Sequence, residues 1–453
     1  MNKILTHIAG TFLVQADSSF LNGAGLGDGE DRNVTVPKTF RDIRGEVPYV
    51  SAQAWKRWLR NTFIEETGWQ ASDVRAIGWN PRGNVNKIAT QLNPVDLVED
   101  DIFGYMRAEA GQGRAAESSE DEEEVSVKTK SVMRASPFVA SLLVSLRSVR
   151  WEGRDEGFVH LTKYDPQALA QAETERFLSE VSTKTQSKRK NVWDRLEEFG
   201  KDFAETAKAY SDKNDLDALR VLLREKAKEK EKEVDFIENS LSPVPYTTRF
   251  YNTNLQGIFC LNYGRLGLYW NLGDRIELEE SKVRHLLEQK KIVDVTLQEP
   301  YSMLSENGKI GKIYKITDNA KPTPKERAHA LLKALAVLRG GAKQAQFGTD
   351  VSPKVLILAG LTCGNPIFNH LFKDGQDGPS LKIETFKEIL RDYADRIVTP
   401  VLVGIRSGYL GNEDDVRKLH ETTVAGKQED PCEVKISIMT PVEASQEIGK
   451  YLA

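Results

Sequence analysis

The stretch Ser51-Ala-Gln-Ala-Trp-Lys-Arg-Trp-Leu-Arg60 separates into two sectors when wound at about 100° per residue. Ala52, Trp55, Trp58, Leu59 and Phe63 gather on one side; Gln53, Lys56, Arg57 and Arg60 gather on the other. The charge order runs against the helix dipole, with bases near the start and Glu65 and Glu66 near the end. In an isolated helix that order costs roughly a few tenths of a kcal/mol per charge. An anion docked at the start removes the penalty. Ser51 suits an N-cap, the first turn offers free N–H groups, and three cations stand beside them, which together make a phosphate cradle. The competing reading is an amphipathic helix whose basic face is merely solvated.

Outward from this helix, the totals bound the answer. The chain has 453 residues and a net charge of −4, which argues against an overall basic coat. A local basic groove remains compatible, because the acidic run Glu117-Ser-Ser-Glu-Asp-Glu-Glu-Glu124 masks it in the sum. That run has the composition of a disordered segment. Cys260, Cys363 and Cys432 are far apart, with no C-x-x-C spacing, which fits a reducing cytosol and a cytoplasmic protein. The six histidines stand at no metal-ligand spacing, so no metal and no cofactor is expected. No G-x-S-x-G elbow or Walker loop occurs, and only proximity in sequence links Cys363 to His370. We expect no catalytic residue and no enzyme. The amino terminus is interrupted by Thr6, His7 and Gln15, and reads as a strand with Ile4, Ile8, Phe12 and Val14 on one face rather than as a signal peptide. No run is long enough to span a bilayer, so no membrane partner is expected.

Taken in order, residues 4–16 read as a strand, 17–47 as a long loop, and 51–66 as the helix. Gly23-Ala-Gly-Leu-Gly27 imitates a dinucleotide fingerprint but is followed by Asp28-Gly-Glu-Asp31 instead of a helix. Ser136 to Leu146 and Tyr246 to Leu261 read as strands, Pro324 to Leu338 as a helix closed by glycines, and Pro353 to Ala359 as a buried strand. A helix over Ile383–Ala394 and strands over Ile397–Ile405 and Glu433–Met439 follow. The fold class expected is α+β, a ferredoxin-like or RRM-like palm in the order strand, helix, strand, strand, helix, strand, with large insertions. The divisions are 1–66 for the first half of the palm, 67–135 for an insertion with the acidic run, and 136–150 for a palm strand. A charged helical insertion follows over 151–245, then a palm strand over 246–270. A third irregular stretch occupies 271–320, and 321–453 complete the palm and add carboxy-terminal elements.

The basic residues then suggest one polyanion. Arg41 and Arg44 precede the helix, Lys56, Arg57 and Arg60 lie on it, Lys128, Lys130 and Arg134 approach the next strand, and Arg249 approaches another. Arg339-Gly-Gly-Ala-Lys343 sets two cations around a glycine pair whose N–H groups suit phosphate. An RNA-binding groove explains them jointly. Asp17, Asp28 and Asp31 leave a second reading open, acid-assisted RNA cleavage, against ordinary turn chemistry.

Val47-Pro-Tyr-Val-Ser-Ala-Gln-Ala-Trp-Lys-Arg-Trp-Leu-Arg60 resembles the signature of DevR-type backbone subunits of type I-B CRISPR effector complexes, known as Cascade. Three further blocks are similar to that family in the same order: Asp100-Asp-Ile-Phe-Gly-Tyr-Met106, Pro245-Tyr-Thr-Thr-Arg-Phe-Tyr-Asn-Thr-Asn-Leu-Gln-Gly257 and Leu338-Arg-Gly-Gly-Ala-Lys-Gln344. The resemblance implies a palm with finger and thumb insertions: 67–135 is the finger, and 271–320 or 150–245 the thumb. It implies copies stacked along one crRNA, other Cascade subunits as partners, and target DNA bound through the guide. It implies RNA contacts at Ser51, Gln53, Lys56, Arg57, Arg60, Arg249, Arg339, Gly340, Gly341 and Lys343. Arg41, Arg44, Lys130 and Arg134 rest on the charge reading alone. Whether such a system leads to DNA degradation or, through a transposition adaptor, to transposition stays open. The alternatives are a guide-dependent endoribonuclease and a DNA-binding transcriptional regulator.

Overall fold

The central strand β1 (His7–Ser19) is apolar on both faces, so it needs cover on both. The computed structural model describes residues 4–26, 34–79, 85–107, 131–149, 155–160, 165–182, 191–236, 244–273, 275–304, 311–427 and 432–452. Within them the palm follows in chain order. After β1 come α1 (Ala52–Thr67), β2 (Phe138–Ala140) and β3 (Leu143–Ser145), β4 (Tyr251–Asn262), α2 (Pro324–Ala336) and β5 (Val355–Leu361). β1 lies antiparallel between β4 and β5, and β2 and β3 pair antiparallel with the far side of β4. This is the ferredoxin-like arrangement in an α+β chain. The sheet extends past β5 through β6 (Val401–Ile405), antiparallel to it, and β7 (Glu433–Met439), parallel to β6.

One face of β1 carries Ile8, Phe12, Val14 and Ala16 against α1 and α2. Trp55 is fully buried there, edge-on to Phe12 at 5.3 Å and to Phe138 at 5.8 Å, and its indole N–H donates to the Ser141 carbonyl at 2.6 Å. Helix α2 starts at a capping box between Thr323 and Glu326 with Pro324 in the first turn. Thr323→Ala should therefore cost about 1 kcal/mol, read as faster hydrogen exchange of the first amides of α2.

The other face carries Ala9, Leu13, Ile357, Ala359, Val403 and Ile436. Phe368, Phe386, Leu390, Leu410 and Val416 cover it, from the helices Ile383–Asp392 and Glu413–Arg417 and the segment before them. The sheet is thus closed over this half, unlike a sheet that stacks bases on an open face. Ile4, expected on the strand face, precedes β1 and is exposed.

Two stretches read as irregular carry regular elements in their described parts. Residues 17–47 contain the end of β1, the strands Gly23–Leu26 and Val34–Pro37, and the hairpin Thr39–Asp42 with Gly45–Val50, whose second strand pairs with β3. Residues 271–320 contain the helix Glu280–Glu288 and the strands Ile292–Asp294 and Gly311–Ile316. These join Leu268–Leu272, Arg275–Ile276, Val132–Arg134 and Tyr105–Arg107 in one six-stranded sheet. Parts of 67–135 and of 271–320 thus share one sheet.

The chain divides into two compact units. One comprises residues 1–25, 36–154 and 249–453; the other comprises 26–35 and 155–248. The second has its own core, with Phe177, Leu178, Trp193, Leu196, Leu219 and Leu223 buried between four helices, and Glu173 fully buried against Arg220. Within the mixed-charge run from Arg224, Ala227 faces that core and Lys226 pairs with Glu229 at 2.7 Å. The acidic run 117–124 lies outside the described residues. Among the described residues no helix is long and apolar enough to cross a membrane, and no cluster of His, Cys, Asp and Glu suits a metal ion.

Candidate nucleic-acid interface

Helix α1 begins where the sequence placed it. Ser51 is extended (φ −63°, ψ 146°) and its hydroxyl accepts from the Ala54 N–H at 3.4 Å. The Ser51 N–H donates to the Asn22 side chain at 2.9 Å, which ties the helix start to the end of β1. The helix stops at Gly68 in the left-handed region, whose N–H closes on the Ile64 carbonyl.

The glycine block runs alongside α1 in the opposite direction. At the helix's far end, the Arg339 N–H donates to the Thr62 hydroxyl at 3.0 Å. One turn back, Gly340 lies flush on Trp58: a Cβ there would come within 2.3 Å of the indole, and its φ is +147°. Gly341, at φ +113°, has room for no Cβ between Gln344 and Leu21. The Ala342 N–H then donates to the Leu21 carbonyl at 2.9 Å, one residue from Asn22 and so from the helix start. Lys343 is left-handed, with its ammonium 5.2 Å above the Phe20 ring. The Gly340 and Gly341 N–H groups meet no acceptor among the described residues. First-turn N–H groups of α1 and these two glycines thus edge one strip of surface, a nest for anions.

The three helix cations have different environments. Arg57 is exposed, beside the exposed Gln53, and makes no ion pair or hydrogen bond among the described residues. Lys56 is half-buried and donates to the Ser136 hydroxyl at 3.1 Å. Burial, with the Arg60 charge nearby, pushes its pKa below the usual lysine range. Arg60 is structural: its Nε donates to buried Glu99 at 2.7 Å. Burial opposes its charge, but Glu99 and Asp100 outweigh that and hold its pKa up.

Other expected contacts are placed elsewhere. Arg134 is fully buried between Asp101 (2.5 Å) and Glu277 (2.9 Å), and its remaining N–H groups meet the Asp101, Leu268 and Arg265 carbonyls. It is an internal strut, out of reach of any RNA. Arg339 turns its guanidinium to Glu65 and Glu66 at the far end of α1. Arg41 pairs with Glu46, and Arg44 folds onto Asp42 and the Leu146 carbonyl. Both sit at the hairpin turn, about 20 Å along the strand Gly45–Val50 from Ser51. Arg249 is half-buried at a strand end. Its neighbour Phe250 packs on Phe347, 5.9 Å between ring centres, just beyond the glycine block. Lys128 and Lys130 lie outside the described residues, as do Asp28 and Asp31. Asp17 belongs to β1, where its carboxylate accepts from Gln15 at 2.6 Å.

Charge counting missed Phe20, Leu21 and Asn22, which join the glycine block to the helix start. The available signal was Asn22-Gly23, a turn pair directly after an apolar strand.

No family model matches the chain, and no curated protein does. Among solved structures it is similar to a chain of a "CRISPR RNA-guided surveillance complex", at 12% identity and a TM-score of 0.35, over 86% of this chain and 83% of that one. It is also similar to a chain of a "CRISPR RNA-guided surveillance complex, pre-nicking", at 9% identity and a TM-score of 0.42, over 98% of this chain and 100% of that one.

Proposed function

We propose that this protein is a non-catalytic crRNA-binding backbone subunit of a CRISPR effector complex, of the DevR type found in type I-B systems. Copies stack along the guide and leave its bases free to pair with target DNA. The observation that carries the reading is the strip along α1. It carries N–H groups of the first turn and of Gly340–Gly341, with Arg57 exposed on α1 and Lys343 closing the glycine block, and nothing sequence-specific about them. Such a strip grips phosphates and ignores bases. Ser51, Gln53, Lys56, Arg57, Gly340, Gly341 and Lys343 are the contacts we retain. Arg249 adjoins them.

The test is capture of RNA. Protein purified after co-expression with its CRISPR array should carry protected RNA. Arg57→Glu should lower that yield roughly tenfold with unchanged melting, because one contact becomes a repulsion. Raising salt should strip RNA steeply, since each phosphate contact displaces counterions. Undiminished RNA in the Arg57→Glu protein at moderate salt would remove the helix from the interface. Complementary RNA incubated with the complex and divalent metal should stay intact; regularly spaced fragments would favour a guide-dependent endoribonuclease instead.

A further inference from the structure

At the His7 end of β1, roughly 40 Å along the strand from Phe20 and the glycine block, the palm holds a cavity of about 290 Å³ apart from the strip we assign to the guide. Arg265, Trp270 and Arg275 line one side; Ser136, Val139 and Asn262 line another.

Charge is unbalanced here. Among the described residues four guanidinium groups, Arg134, Arg265, Arg275 and Arg327, share two carboxylates. Asp101 serves Arg134 and Arg327, and Glu277 serves Arg134, Arg265 and Arg275. Arg265 Nη1, Arg275 Nε and Trp270 Nε1 are all buried without an acceptor among the described residues. Burial, with Arg134 and Arg275 adding to it against Glu277, brings the Arg265 pKa down to about 10. Trp270 steadies the pair: the guanidinium carbons of Arg265 and Arg275 stand 3.6 Å and 5.3 Å from its ring centre.

A cluster short of negative charge, set beside a cavity, is stabilised by an anion that enters it. Guanidinium forks match the oxygens of phosphate. The cavity exceeds what a bare phosphate fills and sits at the small end of ligand clefts. Its remaining wall offers the apolar Val139 and the amide of Asn262, suited to a sugar and base. We propose that this cavity binds a nucleoside monophosphate, with Arg265 and Arg275 receiving the phosphate. The nucleotide comes either free from solution or as the 5′-phosphorylated end of a strand; the chemistry is shared.

The experiment is calorimetry on the full chain stripped of nucleic acid, with 5′-AMP, adenosine, inorganic phosphate, and short oligoribonucleotides bearing a 5′-phosphate or a 5′-hydroxyl. AMP should bind and adenosine should not. Arg275→Gln should weaken AMP roughly ten- to a hundredfold, and Arg275→Lys should recover part of the loss. Val139→Trp, filling the cavity from its exposed rim, should block AMP without touching the ion pairs. Arg57→Glu should leave AMP binding intact, so failure of the guide-RNA reading and failure of this one are separable. Preference for the phosphorylated oligonucleotide assigns the ligand to a strand end, and preference for AMP assigns it to the free nucleotide. The proposal is overturned if AMP gives no heat at millimolar concentration, if adenosine binds as well as AMP, or if phosphate alone binds as well as AMP. A glutamate-rich peptide binding more tightly than AMP through Arg275 would overturn it too, in favour of a protein partner.

Discussion

Asp101→Asn is expected to cost the palm about 3–5 kcal/mol, because it removes one carboxylate from a buried network that has none to spare. Asp101 is fully buried. It accepts from Arg134 at 2.5 Å, Arg327 at 2.7 Å and the Gly267 N–H at 3.0 Å. Asparagine keeps the shape but loses the charge, so among the described residues fully buried Arg327 is left with no carboxylate and Arg134 with only Glu277, which Arg265 and Arg275 also share. The network joins three pieces of chain: the helix Val98–Phe103, the amino-terminal turn of α2, and the strands around Leu268–Leu272. Arg327 also holds the Pro94 and Val95 carbonyls, and Tyr105 donates to the Glu277 carbonyl. Losing Asp101 should therefore loosen one region rather than fray the whole. Hydrogen exchange would show faster amides at Tyr269 and Ile313 while those of the 155–248 unit stay unchanged. With two compact units, a single global midpoint is the poorer readout. Asp101→Asn combined with Arg327→Met should recover part of the loss, since the second change removes an unpaired charge. A loss below about 1 kcal/mol would mean that water or a rearranged Glu277 replaces Asp101, and the joint would need another explanation.

That network also explains where reading the chain succeeded and where it failed. The palm was legible because its strands and helices carry strong periodicity: β1 and β5 are apolar on both faces, and α2 repeats Ala328, Leu331 and Leu335. Arg134 was misplaced because charge near a strand reads as surface charge. The contrary signal was present in phase, not in composition. Arg327 falls on the apolar stripe of α2, one residue before Ala328 and four before Leu331, and a cation there needs a buried acid. Asp100-Asp101 in the second family-like block supplies it. The hairpin Thr39–Asp42 with Gly45–Val50 was hidden for another reason: its strands are short, and its partner β3 lies about a hundred residues on, so local pattern carried no sign of it. The interface divided likewise. Ser51 and Arg57 stand where helical spacing put them, whereas Arg60 and Arg339 are drawn to Glu99, Glu65 and Glu66, pairings that only the folded chain brings within reach.

Gly340→Ala is expected to abolish most RNA capture while leaving the palm folded. The added Cβ would sit 2.3 Å from Trp58, inside any tolerable contact, and at a backbone angle that side chains rarely adopt. Strain of this kind costs about 1–3 kcal/mol, and overpacking a similar amount. The loop can relieve both by lifting away from α1. It is held there by the Arg339 and Ala342 hydrogen bonds, at its two ends, and by the Trp58 contact in its middle. Lifting separates the glycine N–H groups from the helix start, so the strip that we assign to phosphate ceases to be continuous. Displacement by about 1 Å is enough to lose charge-assisted contacts, and a loss of at least tenfold in RNA yield should follow. Trp58→Ala in the same chain opens room for the new methyl group and should restore part of that yield, although alone it should weaken capture by loosening the loop. This opposite sign in the double variant is the decisive measurement. If Gly340→Ala keeps full RNA, the phosphates do not run along this loop. If Trp58→Ala deepens the loss instead of relieving it, the glycine serves the backbone angle alone, and the close fit against α1 has no part in holding RNA.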